Sequence, residues 1–312
     1  MIVAPTTDLH ARAVSQVLSS HFDTPAVIWD SGSIPAEEAL CLHLTGDYVD
    51  LEIKGRDGNI ALDSLRSVWW RRPGTFRIDA AVTDHKVRQF CVRECSALFR
   101  GTLDATDVPI VNDPTAQDVA ARKPVQLRMA QRVGLTIPKT LMSNDPDEVR
   151  SFWEALDGHC IYKAFTAPSE QLAETRTLAP EDLKHLVQLR HAPMILQEKI
   201  EKGLDVRVNV FGESVFAASV TINRPEANLD WRLDLTSTWQ EHGLPDGVAK
   251  QLTQLLRQLG LQYGCIDLRQ RPDGAYVFLE VNPAGQFLFI EVETGQPLAR
   301  ALAELLVRPR LW

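Results

Sequence analysis

The stretch "YVFLEVNPAGQF" (276–287) reads as an apolar strand that carries Glu280 and Asn282 on either side of Val281 and then breaks at Pro283. Strand side chains alternate faces, so Val277, Leu279 and Val281 point one way and Tyr276, Phe278, Glu280 and Asn282 the other. A carboxylate and an amide at the end of such a strand need partners, because burial without one is costly. The preceding "GCIDLRQRPDGAY" (264–276) reads as strand, turn, strand, with "RPDG" as a four-residue turn. With Pro272 and Asp273 as its central pair, Asp267 lies opposite Phe278. It then shares a face with Glu280 and Asn282 and sits diagonal to Glu280. Two carboxylates and an amide oxygen converge at one end of a hairpin, a donor set that suits Mg²⁺ completed by substrate phosphates. The alternative is a polar strand end that faces solvent.

The totals frame this reading. At 312 residues the chain is too long for one simple core, and two or three subdomains are expected. Apolar content of 45% and charged content of 24% are ordinary for a soluble globular protein. No run of about 18 apolar residues suggests a membrane span, and the N-terminus lacks the pattern of a secretory signal. Five cysteines without a CxxC argue for reduced thiols and a cytoplasmic location. The net charge of −8 speaks against general nucleic-acid binding. The local basic cluster "RRP" (71–73) remains free to bind one small anion.

Along the chain, residues 1–114 read as a small α/β domain. "MIVAP" and "PAVIWD" are strands around the helix "DLHARAVSQVLSS", the signature of a parallel sheet. No GxGxxG follows the first strand, so a dinucleotide site is not expected there. A hairpin (48–62), the strand "SVWWRRPG", a helix over roughly 84–104 and "VPIVNDP" complete this part. From 115 the pattern is antiparallel sheet with helices, dividing at about 195 into a central lobe (115–195) and a C-terminal lobe (196–312). "SNDPDEVRSFWEAL" begins a helix with an Asn or Asp cap, Pro at its first position and acids in its first turn. "APEDLKHLVQLR" reads as a capped helix, and "GVAKQLTQLLRQLGL" (247–261) places Val248, Leu252, Leu255, Leu256 and Leu259 on one stripe.

This order of landmarks resembles the ATP-grasp superfamily over nearly the whole chain. "YKAF" supplies a strand lysine, "LQEKIE" looks like the interlobe hinge, and "GCIDLR…YVFLEVNPAGQF" is similar to the family's metal-binding Asp and Glu-x-Asn. A narrower likeness, carried by "SVWWRRP", "VNDP", "INRPEANLDWR" and "ETGQPLARALAELL", is to the graspetide (microviridin-type) peptide maturases. The resemblance implies an α+β fold in which an N-terminal pre-ATP-grasp domain precedes two lobes that enclose the nucleotide.

It also implies roles. Asp267, Glu280 and Asn282 would hold Mg²⁺, with two ions bridging the phosphates of ATP. Lys163 would reach the α-phosphate and the adenine, and Lys123 the phosphates from the other side. In "QEKI" the Gln197 side chain would meet the adenine amino group, and the Lys199 carbonyl and Ile200 amide its edge, with Glu198 between them. Asp205 would accept from the ribose hydroxyls, or else is a turn residue. Arg207 and Arg224 would stabilise the transferring phosphoryl group and the acyl phosphate, where the guanidinium fork matches oxyanions. Asp230, Trp231 and Arg232 would face a precursor peptide made of leader and core segments. A homodimer is an open alternative. Departing from many relatives of that superfamily, "TAPSEQLAETRTL" (166–178) contains no glycine, so phosphate-loop contacts are not assigned.

Overall fold

A computed structural model describes residues 1–46, 48–55, 58–166, 175–200, 203–221 and 236–309, with backbone only at 48–50. The chain begins with β1 (Ile2–Val3), α1 (Leu9–Phe22) and β2 (Ile28–Trp29), then β3 (Ala39–Thr45), β4 (Tyr48–Gly55), β5 (Gly58–Ala61) and β6 (Val68–Trp70). Next come α2 (His85–Asp104), β7 (Ile110–Val111), α3 (Pro114–Ala120) and α4 (Lys123–Arg132). The apolar strands β2-β1-β6-β7 form a parallel sheet, and β3-β4-β5 an antiparallel one beside it. Asp8 caps α1 by accepting from the Ala11 amide at 2.8 Å. The helical run after 114 is interrupted at Arg122, and Pro124 restarts it as α4, since proline fits a first helical turn.

The middle of the chain folds as β8 (Thr140–Ser143), α5 (Pro146–Ala155), β9 (Cys160–Lys163), β10 (Arg176–Thr177) and β11 (Met194–Glu198). Their sheet has the order β10-β9-β11-β8 and is antiparallel. α5 starts as expected, with Asp145 as cap, Pro146 in its first turn and two acids behind it. Residues Pro180–His191 are helical with 3-10 rather than α geometry. The expected boundary at 195/196 falls inside β11, which pairs with β8 and β9 through Glu198.

The last part contains β12 (Leu204–Phe211), β13 (Ser214–Thr221), β14 (Thr238–Glu241), α6 (Asp246–Gln258), β15 (Tyr263–Gln270), β16 (Tyr276–Asn282), α7 (Leu288–Thr294) and α8 (Leu298–Val307). Its sheet runs β14-β13-β12-β15-β16. One face of that sheet buries Val206, Val208, Val210, Ile266, Leu268 and Phe278 against α4 and α6, including the stripe Leu252, Leu255, Leu256 and Leu259 read from the sequence. The other core joins the chain's two ends: Ile2, Ala4, Val14 and Leu18 pack with Phe211, Tyr263, Phe287, Leu298 and Leu302. Each such Leu or Phe contributes about 1.5–3 kcal/mol by leaving water, so this core fixes the parallel sheet against the loop after β16. Among the described residues no helix is long and apolar enough to cross a membrane. All five cysteines are free thiols.

Candidate active site

The hairpin β15–β16 departs from its expected register twice, and the two departures cancel. The Arg271 amide donates to Ala275 O at 2.8 Å, so Pro272, Asp273 and Gly274 form a three-residue loop, with Gly274 at φ 86° in the left-handed region. That loop pairs Leu268 with Phe278 and, continued regularly, would turn Asp267 away from Glu280. A β-bulge intervenes. Leu279 is left without a partner, Asp267 pairs directly with Glu280, and Cys265 with Asn282. The sequence-based register is corrected accordingly: Asp267 faces Glu280 rather than Phe278, and Phe278 is a core residue with 0% exposure. The carboxylates and the amide do converge, and the bulge is what brings them together.

Neighbouring elements surround them with cations. Arg207 lies opposite Asp267 on β12; its Nη1 donates to both carboxylate oxygens at 2.8 Å and its Nη2 to Gln286 O at 3.2 Å. Lys123, at the start of α4, forms an ion pair with Glu280 Oε2. Asn282 Nδ2 donates to Glu280 Oε1 at 3.2 Å and reaches Asp267 Oδ2 at 3.5 Å. Burial opposes ionisation of Glu280, but the charge and hydrogen bond of Lys123, then the charge of Lys163, hold its carboxyl down at about 2. Burial pushes the Asp267 carboxyl up; Arg207 pulls it down, and the facing Glu280 pushes it up again. Burial alone would lower the Arg207 pKa, but the charge of Asp267 outweighs it and raises it, so the guanidinium stays charged.

Two paired carboxylates with opposed proton affinities are what a divalent cation relieves. Two carboxylates, with the Asn282 amide turned over to present its Oδ1 in place of Nδ2, make an oxygen donor set that fits Mg²⁺. Among the described residues no cluster of three His, Cys, Asp or Glu side chains could hold a metal alone.

Residues that the sequence did not single out hold this set in place. Gln126, 1% exposed, clamps α4 to the edge strand β16: its Nε2 donates to Val281 O at 2.9 Å and its Oε1 accepts from the Val281 amide at 3.1 Å. Asn112 is fully buried after β7. It donates to Tyr263 O at 2.7 Å and Pro283 O at 2.9 Å, and accepts from the Gln262 and Tyr263 amides at 2.7 and 2.9 Å. It thus ties the start of β15 to the end of β16. His10 Nε2 accepts from the Phe287 and Leu288 amides at 3.0 and 3.3 Å. A Cβ on Gly285 would overlap Cys265, which explains a glycine in "PAGQF".

The nucleotide residues are brought together only in part. Lys163 ends β9 and its charge acts on Glu280. Gln197 is 2% exposed, and its Nε2 donates to Thr140 Oγ1 at 3.0 Å because β11 places them as cross-strand partners. Glu198 accepts from the Lys139 amide at 3.2 Å and from Arg271 at 3.3 Å. The Lys199 amide donates to His159 O at 2.9 Å, whereas the Lys199 carbonyl and the buried Ile200 amide have no hydrogen-bond partner among the described residues. The turn alternative for Asp205 is corrected. Asp205 is a buried strand residue whose two oxygens accept from Arg269 at 2.7 and 2.9 Å, since the β12–β15 register sets the two opposite each other. Arg224, Asp230, Trp231 and Arg232 lie outside the described residues, as does most of the segment 166–178.

No family model matches the chain. Among solved structures, PsnB, an ATP-grasp ligase complexed with a phosphomimetic variant of a minimal precursor, Mg and ADP, superimposes with a TM-score of 0.80 at 26% identity, covering 98% of this chain and 96% of that one. The chain belongs to the ATP-grasp superfamily. Another ATP-grasp neighbour by fold is the macrocyclase MdnC of Microcystis aeruginosa, bound with its precursor peptide MdnA: TM-score 0.86, 29% identity, 98% of both chains covered. By sequence, a probable alpha-L-glutamate ligase of Pseudoalteromonas translucida is 27% identical over 198 residues, 61% of this chain. The match spans just under two thirds of that relative's length, 64%.

Proposed function

We propose that this chain is an ATP-dependent carboxylate ligase that closes side-chain ester or amide rings in a ribosomally made precursor peptide. The observation that carries the reading is the bulged hairpin, where Asp267, Glu280 and Asn282 meet Lys123 and Arg207. The likeness to MdnC over 98% of both chains supports a peptide as substrate. Mg²⁺, as two ions, would be held by Asp267, Glu280 and Asn282 and would neutralise charge on the phosphates. Lys163 and Lys123 contact phosphate oxygens, and the Lys199 carbonyl and Ile200 amide the adenine edge.

A substrate carboxylate oxygen attacks the γ-phosphorus of ATP; the bond to the β,γ-bridging oxygen breaks and ADP leaves. A hydroxyl or amine of the same peptide then attacks the acyl carbon, inorganic phosphate departs with the C–O bond electrons, and the nucleophile's proton passes to phosphate or solvent. Arg207 and Arg224 stabilise the oxyanions of both steps. Asp230, Trp231 and Arg232 contact the peptide. The lobes divide after the hinge, near 200, rather than at 195.

A second reading, addition of free glutamate to a carboxylate, is favoured by the name of the curated relative. The two are separated by mass spectrometry of a short synthetic peptide rich in Ser/Thr and Asp/Glu, incubated with the chain, ATP, Mg²⁺ and glutamate. Loss of one water per ring supports macrocyclisation. Gain of glutamate residues supports the second reading, and an unchanged peptide with no ADP release contradicts both.

A further inference from the structure

The parallel sheet β2-β1-β6-β7 reverses its strand order between β1 and β6. In open α/β sheets a crevice forms at the carboxyl ends of the strands at such a point, and ligands bind there. In this chain Asp8 and His10 follow β1, and Arg71 and Arg72 follow β6, so all four stand at that switch point. The amides of both arginines donate to Val3 O, at 3.2 and 3.0 Å, so the two are pinned to the end of β1. The switch point also abuts the loop after β16, because Arg71 Nη1 donates to Ala284 O at 2.5 Å and Gly285 O at 3.1 Å, just beyond Asn282.

The charges here do not balance. The Arg71 side chain is fully buried, yet its Nε and Nη2 have no hydrogen-bond partner among the described residues. The one carboxylate paired with it among the described residues, Asp8, lies 3.6 Å from Nε and already caps α1 with its other oxygen. His10 uses Nε2 as an acceptor and so is neutral. Arg72 is exposed, repelled by Arg71, and forms no side-chain hydrogen bond or ion pair among the described residues. Two adjacent guanidiniums thus face one committed carboxylate beside the place where phosphoryl transfer is proposed.

We infer that Arg72, backed by Arg71, anchors the acidic side chain of the substrate, holding its carboxylate at the switch point of the N-terminal sheet. A carboxylate fits the guanidinium fork, which can bind both oxygens at once. The inference rests on the carboxylate-activating reading above and adds the residue that selects the donor. ATP phosphates are the competing anion and are an outcome of the test.

The experiment uses the full chain saturated with ADP and Mg²⁺. Wild type, Arg72→Ala and Arg72→Lys are titrated with the same synthetic acidic peptide and with that peptide after Asp/Glu to Asn/Gln exchange. Wild type is expected to bind the exchanged peptide about tenfold more weakly. Arg72→Ala is expected to lose about tenfold for the acidic peptide and nothing further for the exchanged one, with unchanged melting temperature and ADP affinity. Arg72→Lys should recover part of the loss. Independent, additive losses, no loss, or a fall in ADP affinity instead would each overturn the assignment. A second arm forms hydroxamate from glutarate with ATP and hydroxylamine. If wild type ignores the peptide but activates glutarate, the peptide reading fails, and Arg72→Ala must still raise the glutarate KM about tenfold. A wild type that uses neither refutes both proposals.

Discussion

Lowering the pH from 7 to 4 should loosen the loop behind the metal ligands through one residue, His10. Its ring accepts from the Phe287 and Leu288 amides, which only a neutral imidazole can do. Burial, then the charge of Arg71, lower its pKa from 6.5 to about 4 against the pull of Asp8. Between those values the unfolded chain binds the proton and the folded chain does not, so stability rises with pH. The contribution is complete above 6.5 and is lost as pH falls toward about 4. Integrated over that window it amounts to about 2 kcal/mol lost by pH 5 and about 3 kcal/mol by pH 4. His10→Gln keeps an acceptor oxygen but cannot titrate. Urea midpoints followed by tryptophan fluorescence, wild type beside His10→Gln at several pH values, isolate the effect from other titrating groups. The difference between the two stabilities should change by about 3 kcal/mol across the window. Parallel pH profiles would refute the reasoning.

Asn112→Ala leaves two buried amides and two buried carbonyls without partners and should cost at least about 4 kcal/mol of unfolding free energy, read by denaturant titration. A loss below about 1 kcal/mol would mean the loop re-pairs. Glu280→Gln should fold and still release less than about a hundredth of the wild-type ADP at saturating substrate, because the divalent cation loses a carboxylate; turnover like that of wild type would remove the proposed site. Gly285→Ala should destabilise by about 1–3 kcal/mol through overlap with Cys265, with recovery on adding Cys265→Gly but not Cys265→Ala, since the overlap includes Cβ. Trp231→Ala with Arg232→Ala should keep melting temperature and ATP affinity while peptide binding weakens by about 2 kcal/mol, checked by titration.

Much of this was legible in the sequence because it is local. Alternation, turn chemistry and the Glu-x-Asn-Pro string place Asp267, Glu280 and Asn282 on one hairpin, and the apolar stripe of α6 is a matter of period. What escaped depends on partners far along the chain. Gln126 bonds a backbone 155 residues away and Asn112 one 151 residues away, and nothing in a polar residue's neighbours announces such a contact. The bulge at Leu279 follows from a three-residue turn that must be reconciled with a fixed polar face, and no local pattern marks it. The partners of Gln197 and Asp205 escaped for a related reason. Each has a polar partner on the adjacent strand, Thr140 and Arg269, and the register that pairs them is set by the whole sheet.

The account stands or falls on how the carboxylate is activated. Incubating the chain with ATP, Mg²⁺, hydroxylamine and the acidic peptide, and resolving the nucleotides, tests this most directly. Activation as an acyl phosphate predicts ADP and inorganic phosphate in step with hydroxamate on Asp or Glu side chains, all abolished together by Glu280→Gln. AMP and pyrophosphate in step with hydroxamate would mean an adenylate, and would contradict it.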